Sequence, residues 1–183
     1  IALFGDVNID LSEKLKLSVG ARYTKDKREG TVFRRNYTGV GSPLFGNTTA
    51  VAGLLRSNYT NDRTDDQFTP RVSLSYLPTD DLTLYASYSK GFKAGGFDMR
   101  GDVVLTPTTV NGYAPEKVDA YEIGLKGAFL DRSLFINLAG FYSDYAGQQI
   151  TTQYPVTTTT IASFVDNVGD SKIKGFELEM RAV

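Results

Sequence analysis

Two kinds of connection alternate along this chain, and they join runs in which apolar residues fall at every second position. Leu3, Gly5, Val7 and Ile9 form one such run and Leu15, Leu17, Val19, Ala21 and Tyr23 the next, with only the Ser12-Glu13-Lys14 turn between them. A long polar stretch, Lys27 to Asp66, precedes the third run at Phe68, Val72, Leu74 and Tyr76. Its partner, Leu82, Leu84, Ala86 and Tyr88, follows directly across Pro78-Thr79-Asp80-Asp81. Val118 to Phe129 and Leu134 to Tyr145 repeat the arrangement across Leu130-Asp131-Arg132-Ser133, with a long loop on either side of the pair. Successive side chains of a strand point to opposite faces, so strict alternation gives a sheet one apolar and one polar face. Short turns at one end and long loops at the other are the connectivity of an outer-membrane β-barrel. The expected fold is all-β: a transmembrane antiparallel barrel, of which this chain supplies about seven strands.

A spanning strand needs only about ten residues, half of them apolar, so a barrel leaves no long apolar run. No run here approaches the ~18 residues of a membrane helix. Lys and Arg number 20 against 21 Asp and Glu, and this near-neutral balance carries no basic patch suited to nucleic acid. Cysteine and histidine are both absent. Disulfides and thiolate sites are thereby excluded, and without imidazole neither a Ser-His hydrolase nor a His-ligated metal centre can be built from this chain. No catalytic residue, cofactor site or metal site is expected, and the chain reads as a non-enzyme.

The alternation assigns faces. Leu17, Val19, Leu74, Leu84, Ile123 and Leu178 are expected to face lipid, and Arg22, Arg71, Ser87, Glu122 and Glu179 the lumen. The sixth run is less regular, because Phe135 and Phe141 fall on the lumen side; a bulge or a buried inner contact would account for them. A soluble antiparallel sandwich also alternates, but its turns recur every 8 to 12 residues or so and are not polarised by end. Aromatic residues gather at both ends of the runs. Tyr76 and Phe129 sit beside short turns, and Tyr23, Tyr88, Phe92, Tyr121, Tyr142 and Tyr145 beside long loops, as interfacial girdles require.

The long connections are Lys27 to Asp66, Lys90 to Pro115, and a third that holds Tyr154-Pro155-Val156 and Thr157 to Thr160. Loops of this length are usually functional or disordered. Gly91, Gly95 and Gly96 do not make a phosphate loop, since no Gly-Lys-Ser/Thr follows. Asn36, Asn47 and Asn58 begin Asn-X-Thr runs that matter only in a glycosylating secretory pathway. Asp62, Asp65 and Asp66 lack the spacing of a calcium loop and read as a solvated acidic turn. Glu177 and Glu179, with Lys174 and Arg181 close by, read as a salt-bridged lumen wall.

The segment Leu84-Tyr85-Ala86-Ser87-Tyr88-Ser89-Lys90-Gly91-Phe92-Lys93-Ala94-Gly95-Gly96-Phe97 resembles a signature of the barrel in TonB-dependent outer-membrane receptors. Ala114 to Lys126, continuing to Phe141-Tyr142-Ser143-Asp144-Tyr145, resembles the family's next hairpin, and Asn167 to Glu179 the strand after it. The resemblance covers most of the chain apart from the first long loop. It implies a large barrel in the bacterial outer membrane, closed by a plug domain, with uptake driven from the inner membrane through TonB. The Lys-Gly-Phe-Lys-Ala-Gly-Gly-Phe run resembles the iron-complex receptors, although the family also imports cobalamin and saccharides.

On this reading residues 1–183 are barrel wall and outer loops, while the plug, the TonB-contacting segment and the remaining strands lie in sequence beyond them. The first and seventh strands both descend, so pairing them would be parallel, and further strands are expected to intervene. The expected function is energy-coupled import of a scarce bulky solute, a ferric siderophore in the first instance. A passive porin, or an outer-membrane enzyme or adhesin, would be the alternatives. Expected partners are outer-membrane lipid and lipopolysaccharide, an iron chelate or other small-molecule ligand, and TonB through regions not present here. Arg34, Arg35, Arg56 and Lys93 are the candidate ligand-facing residues, able to steer an anionic chelate.

Overall fold

The structure, a computed structural model, describes residues 1–38 and 51–183. Nine strands follow in order: β1 (Ala2–Ser12), β2 (Leu15–Thr38), β3 (Val51–Thr79), β4 (Leu82–Lys93), β5 (Glu116–Phe129), β6 (Leu134–Ala146), β7 (Gln149–Pro155), β8 (Ile161–Asn167) and β9 (Ser171–Ala182). Seven form one antiparallel sheet in the order β1-β2-β3-β4-β5-β6-β9, and β7 and β8 pair as a separate hairpin. A short 3-10 turn at Pro107–Asn111 is the one helical element among the described residues. Within those residues β1 and β9 are edges, so the sheet is a sector of wall and not a closed cylinder.

Register sorts the wall into rows of one chemistry. Ile9, Leu17, Leu74, Ala86, Ile123, Gly140 and Phe176 stand opposite one another across all seven strands. One step closer to the short turns lie Leu15, Tyr76, Leu84, Leu125, Leu138 and Leu178. The interleaved rows on the other face read Asn8, Ser18, Ser73, Ser87, Glu122, Phe141, Gly175 and Asp10, Lys16, Ser75, Tyr85, Gly124, Ala139, Glu177. The apolar rows pack against nothing: Ile123 is 66% and Phe176 80% exposed. Only Val32 and Ala162 are buried apolar residues among those described, and both lie outside the wall. A soluble sandwich would bury its apolar face between two sheets. Lipid as the solvent of that face removes the contradiction.

The sixth run has no bulge, since its register with β5 and with β9 is continuous. Phe141 lies over Gly175, where an added Cβ would meet its ring, and the Arg181 guanidinium sits 4.6 Å from the Phe135 ring centroid. The inner-contact alternative is therefore the one adopted. Gly124 serves Tyr85 in the same way, letting its ring lie flat on the lumen wall while its hydroxyl donates to Glu122 at 2.6 Å. Two sequence expectations change here. Tyr145 pairs with Val118 on the lumen side and does not belong to the girdle. Lys174 shares the face of Phe176 and not that of Glu177 and Glu179, so it cannot bridge them; Glu179 instead accepts from Asn137 at 3.2 Å.

The largest departure is the first long loop. Its described part is strand: β2 runs 24 residues and β3 29, about 80 Å or more of ladder where a crossing needs about ten residues. Pairing continues unbroken from Thr24–Gln67 to Arg34–Ser57. Above Tyr23 and Phe68 both faces leave lipid, so the apolar alternation that marks a spanning strand vanishes while the backbone ladder persists. Asp62, Asp65 and Asp66 sit within this ladder, alternating in face, and form no turn. Asp65 is clasped by Arg63 at 2.7 and 2.8 Å, and Asp66 accepts from Tyr23 at 2.9 Å. Gly39 to Asn47 of that loop lie outside the described residues.

Candidate functional site

The β2–β3 extension carries its wall parity upward. Counting by two from Arg22 and Arg71, the lumen side of the extension presents Gly30, Val32 and Arg34 on β2 and Arg63, Asn61, Tyr59 and Ser57 on β3. The loop between β4 and β5, residues 94–115, lies against this inner face and is tied there rung by rung. Arg63 Nη1 donates to the Tyr113 carbonyl at 2.6 Å, Asn61 Nδ2 to that of Val110 at 2.8 Å, and Tyr59 Oη to that of Thr109 at 3.3 Å. Ser57 Oγ donates to the Gly101 carbonyl at 2.7 Å and accepts from Val103 N–H at 3.1 Å. Side chains of the strand thus satisfy the main chain of a loop that has no ladder of its own.

The glycines of the signature run explain its close fit. Gly96 exchanges both backbone hydrogen bonds with Tyr113, at 3.0 and 2.8 Å, and Gly95 is pressed between Arg63 and the Tyr113 carbonyl. Phe97 then packs on Gly30, where any Cβ would strike its ring. These glycines hold a loop against a strand.

Near the top of the extension one residue is re-aimed. Arg34 pairs with Ser57 and Arg35 with Leu55, which leaves Arg56 as the extra residue of a β-bulge. Arg56 turns to Asp102, with Nε 2.7 Å and Nη2 2.5 Å from Oδ2, and Arg34 Nη1 lies 3.6 Å from the same oxygen. Asp102 is buried and also accepts from Leu105 N–H at 3.2 Å. A second buried carboxylate, Asp98, is held by Arg100 at 3.1 and 3.0 Å and by Val165 N–H of β8 at 2.7 Å. Burial alone pushes the Asp98 carboxyl up, but hydrogen bonds from Arg100 and Val165 outweigh it and hold the group below its ordinary value. Gln149 and Asn167 complete the clamp, donating to the carbonyls of Ala94 and Ala114 and of Ala114 and Gly147.

Between the upper part of the β2–β3 extension, this loop and the β7–β8 hairpin opens a cavity of about 640 Å³, bounded by Arg34, Arg56, Arg100, Asp102, Met99 and Ile161 among others. That volume falls within the range of small-molecule sites. Arg34 and Arg56 share Asp102 and Arg100 is held by Asp98, so three guanidinium groups meet two carboxylates and the surplus positive charge favours an anion. Of the sequence candidates, Arg34 and Arg56 meet at this cavity. Arg35 does not; its guanidinium sits 5.9 Å from the Phe33 ring. Lys93 pairs with Glu116 in the wall, away from the cavity. Arg100 and Asp102 carried no mark in the sequence beyond lying in a polar loop.

The sequence profile described as "TonB dependent receptor-like, beta-barrel" matches residues 1–182. The chain belongs to this TonB-dependent receptor family. Among curated relatives it is similar to the probable TonB-dependent siderophore receptor PiuA of Acinetobacter baumannii, 28% identical over 176 residues. It is also similar to the metal-pseudopaline receptor CntO of Pseudomonas aeruginosa, 26% identical over 172 residues. Each match takes in 93% of this chain and 20% of the relative, so the TonB-dependent receptor chain described here spans about a fifth of their length. Among solved structures, the ferric yersiniabactin uptake receptor FyuA of Yersinia pestis superposes with a TM-score of 0.68 at 20% identity, covering 98% of this chain and 23% of that one. The copper transporter OprC gives 0.67 at 18% identity, covering 98% and 25%. These two likenesses establish the barrel fold. Membership places this receptor wall in the Gram-negative outer membrane, in a family of transport receptors.

Proposed function

We propose that this chain forms part of the barrel wall and outer vestibule of a receptor that imports a ferric siderophore by TonB-dependent, energy-coupled uptake, without enzymatic activity of its own. The observation that carries the reading is the anion-favouring cavity, built on the lumen-side face of the β2–β3 extension, where an incoming chelate would meet Arg34, Arg56 and Arg100. The printed description of PiuA as a siderophore receptor supports the solute class. Plug and TonB-contacting segment belong, on this proposal, to other parts of the whole protein, and lipid and lipopolysaccharide surround the wall.

The test is uptake of labelled ferric siderophores by cells carrying the intact receptor, with and without a working TonB. Uptake is expected to require TonB, and Arg34→Ala to weaken siderophore binding several-fold with the barrel intact, since that side chain is 43% exposed and shares Asp102 with Arg56. Gradient-following flux that persists without TonB would overturn the active-transport reading in favour of a passive porin.

A further inference from the structure

The three arginines of the cavity are not equally available to a ligand. Arg56 is committed to structure, mostly buried and with Nε and Nη2 both on one Asp102 oxygen. Arg34 and Arg100 keep 43% and 57% of their side chains exposed. Arg34 is held by one end, Nη1 donating to the Arg100 carbonyl at 2.7 Å, and Arg100 by Nε and Nη2 on the Asp98 carboxylate at 3.1 and 3.0 Å. Among the described residues nothing accepts from Arg34 Nε or Nη2, or from Arg100 Nη1. Asp102 and Asp98 thus hold two guanidinium groups beside one another at the cavity wall, each with donors to spare. The rest of the lining is aliphatic and hydroxylic: Met99, Leu105 and Ile161 give apolar surface, and Thr160 and Ser163 give hydroxyls. No aromatic ring lines the cavity among the described residues. Aromatic side chains of the same elements are engaged elsewhere, Phe97 on Gly30, Tyr59 on the Thr109 carbonyl, and Phe164 with Tyr113 at a separate cavity.

These features discriminate between kinds of chelate. A chelate with aromatic rings at its periphery gains from ring-to-ring packing, and this lining supplies no ring. A neutral chelate would displace water from guanidinium donors and leave them without acceptors. A carboxylate that the metal does not occupy meets both conditions: its two oxygens accept parallel N–H groups from one guanidinium edge, and its charge balances the surplus. We infer that Arg34 and Arg100 bind uncoordinated carboxylate groups at the periphery of an aliphatic hydroxycarboxylate chelate, whose carbon skeleton rests on Met99, Leu105 and Ile161. The inference names the chelate class within the siderophore reading and rests on that reading.

The intact receptor, purified in detergent, is titrated calorimetrically with three ferric complexes: ferric citrate, a synthetic tris-catecholate that is anionic but free of carboxylate, and a neutral trihydroxamate. The parent is expected to bind ferric citrate about ten-fold more tightly than either of the others. Arg34→Lys and Arg100→Lys keep the charge and remove the fork, and each is expected to weaken ferric citrate about ten-fold while leaving the tris-catecholate within about two-fold. Either variant carries the test if the other fails to fold. Ferric citrate binding that is unchanged in the variants, or absent from the parent, would overturn the carboxylate assignment. Tris-catecholate binding as tight as ferric citrate and equally dependent on Arg34 would overturn it as well, yet keep the cavity as a site for anionic chelates. Binding of all three complexes that is indifferent to both Arg34→Ala and Arg100→Ala would instead remove the cavity from the siderophore reading altogether.

Discussion

In the wall, Ile123, Phe176 and Leu178 stand fully outward while Ser87, Glu122 and Tyr85 line the inside, and no apolar residue is buried. In the loop cluster above it, the buried side chains are Ser57, Asp98, Asp102, Thr106 and Thr109, with Val32 and Ala162 the only apolar ones among the described residues. The same β2–β3 ladder runs through both regions. What differs is the solvent: hydrocarbon rewards apolar side chains at the surface, whereas water rewards them nowhere near a cluster too thin to form a core. The cluster is therefore held by hydrogen bonds to main chain and by ion pairs, and the wall by its ladder and its lipid.

If that contrast is right, one substitution should have very different costs in the two regions. Ile123→Arg, in the middle apolar row, is expected to destabilise the intact receptor by about 2–4 kcal/mol in bilayer unfolding by urea. Thr31→Arg, on the outward face of the extension, is expected to change it by no more than about 0.5 kcal/mol. Equal costs would erase the distinction. In the cluster, Asp102→Ala removes the shared partner of Arg56 and Arg34 and should loosen residues 98–106 by about 1.5–3 kcal/mol, read as faster hydrogen exchange there with the wall strands unchanged. A global loss of stability would show the two regions to be one cooperative unit.

Two smaller effects sharpen the picture. Leu130, Asp131 and Arg132 hold φ of 53°, 53° and 65° in the β5–β6 turn, a conformation that disfavours side chains with a Cβ. Asp131→Gly is expected to stabilise the receptor by about 1 kcal/mol in the same unfolding assay. The last concerns acid. Asp98 lies below its ordinary 3.8 when docked, so its contribution to holding the 94–115 loop is complete above that value and is lost as pH falls through the lower docked value. A spin-label distance between positions 60 and 108 should be constant from neutral pH to about 4 and lengthen only below it. Lengthening near neutrality would mean that another group controls the clamp.

The spans and their faces were legible because lipid writes a period of two into the sequence: Leu17, Leu74, Ile123 and Leu178 all lie in the outward rows. The extension was not, since water on both faces leaves Lys25 to Thr38 without any period while threonines and valines still pair as strand. The same signal would have placed Lys174 beside Phe176; nearness in sequence to Glu177 was the weaker guide. Arg34 and Arg56 were found by charge. Asp102 and Arg100 were not, because a buried carboxylate is defined by the strand that covers it, and Arg56 reaches it only through a bulge that no local residue pattern announces.

The unbroken register from Leu15–Tyr76 up to Arg34–Ser57 also limits how such a receptor can vary. A single residue gained in β2 between Tyr23 and Val32 would leave the wall below it untouched and yet turn every rung above it inside out, exposing Val32 outward and withdrawing Arg34 from Asp102. Changes in pairs would lengthen the mast and keep its inner face. The irregular pairings of β2 with β3, at Arg34/Arg35 and Arg35/Tyr37, begin where Arg56 grips Asp102, at the upper end of the docked loop. The stretch beneath that bulge is therefore held to even steps by a loop it must keep in its grasp.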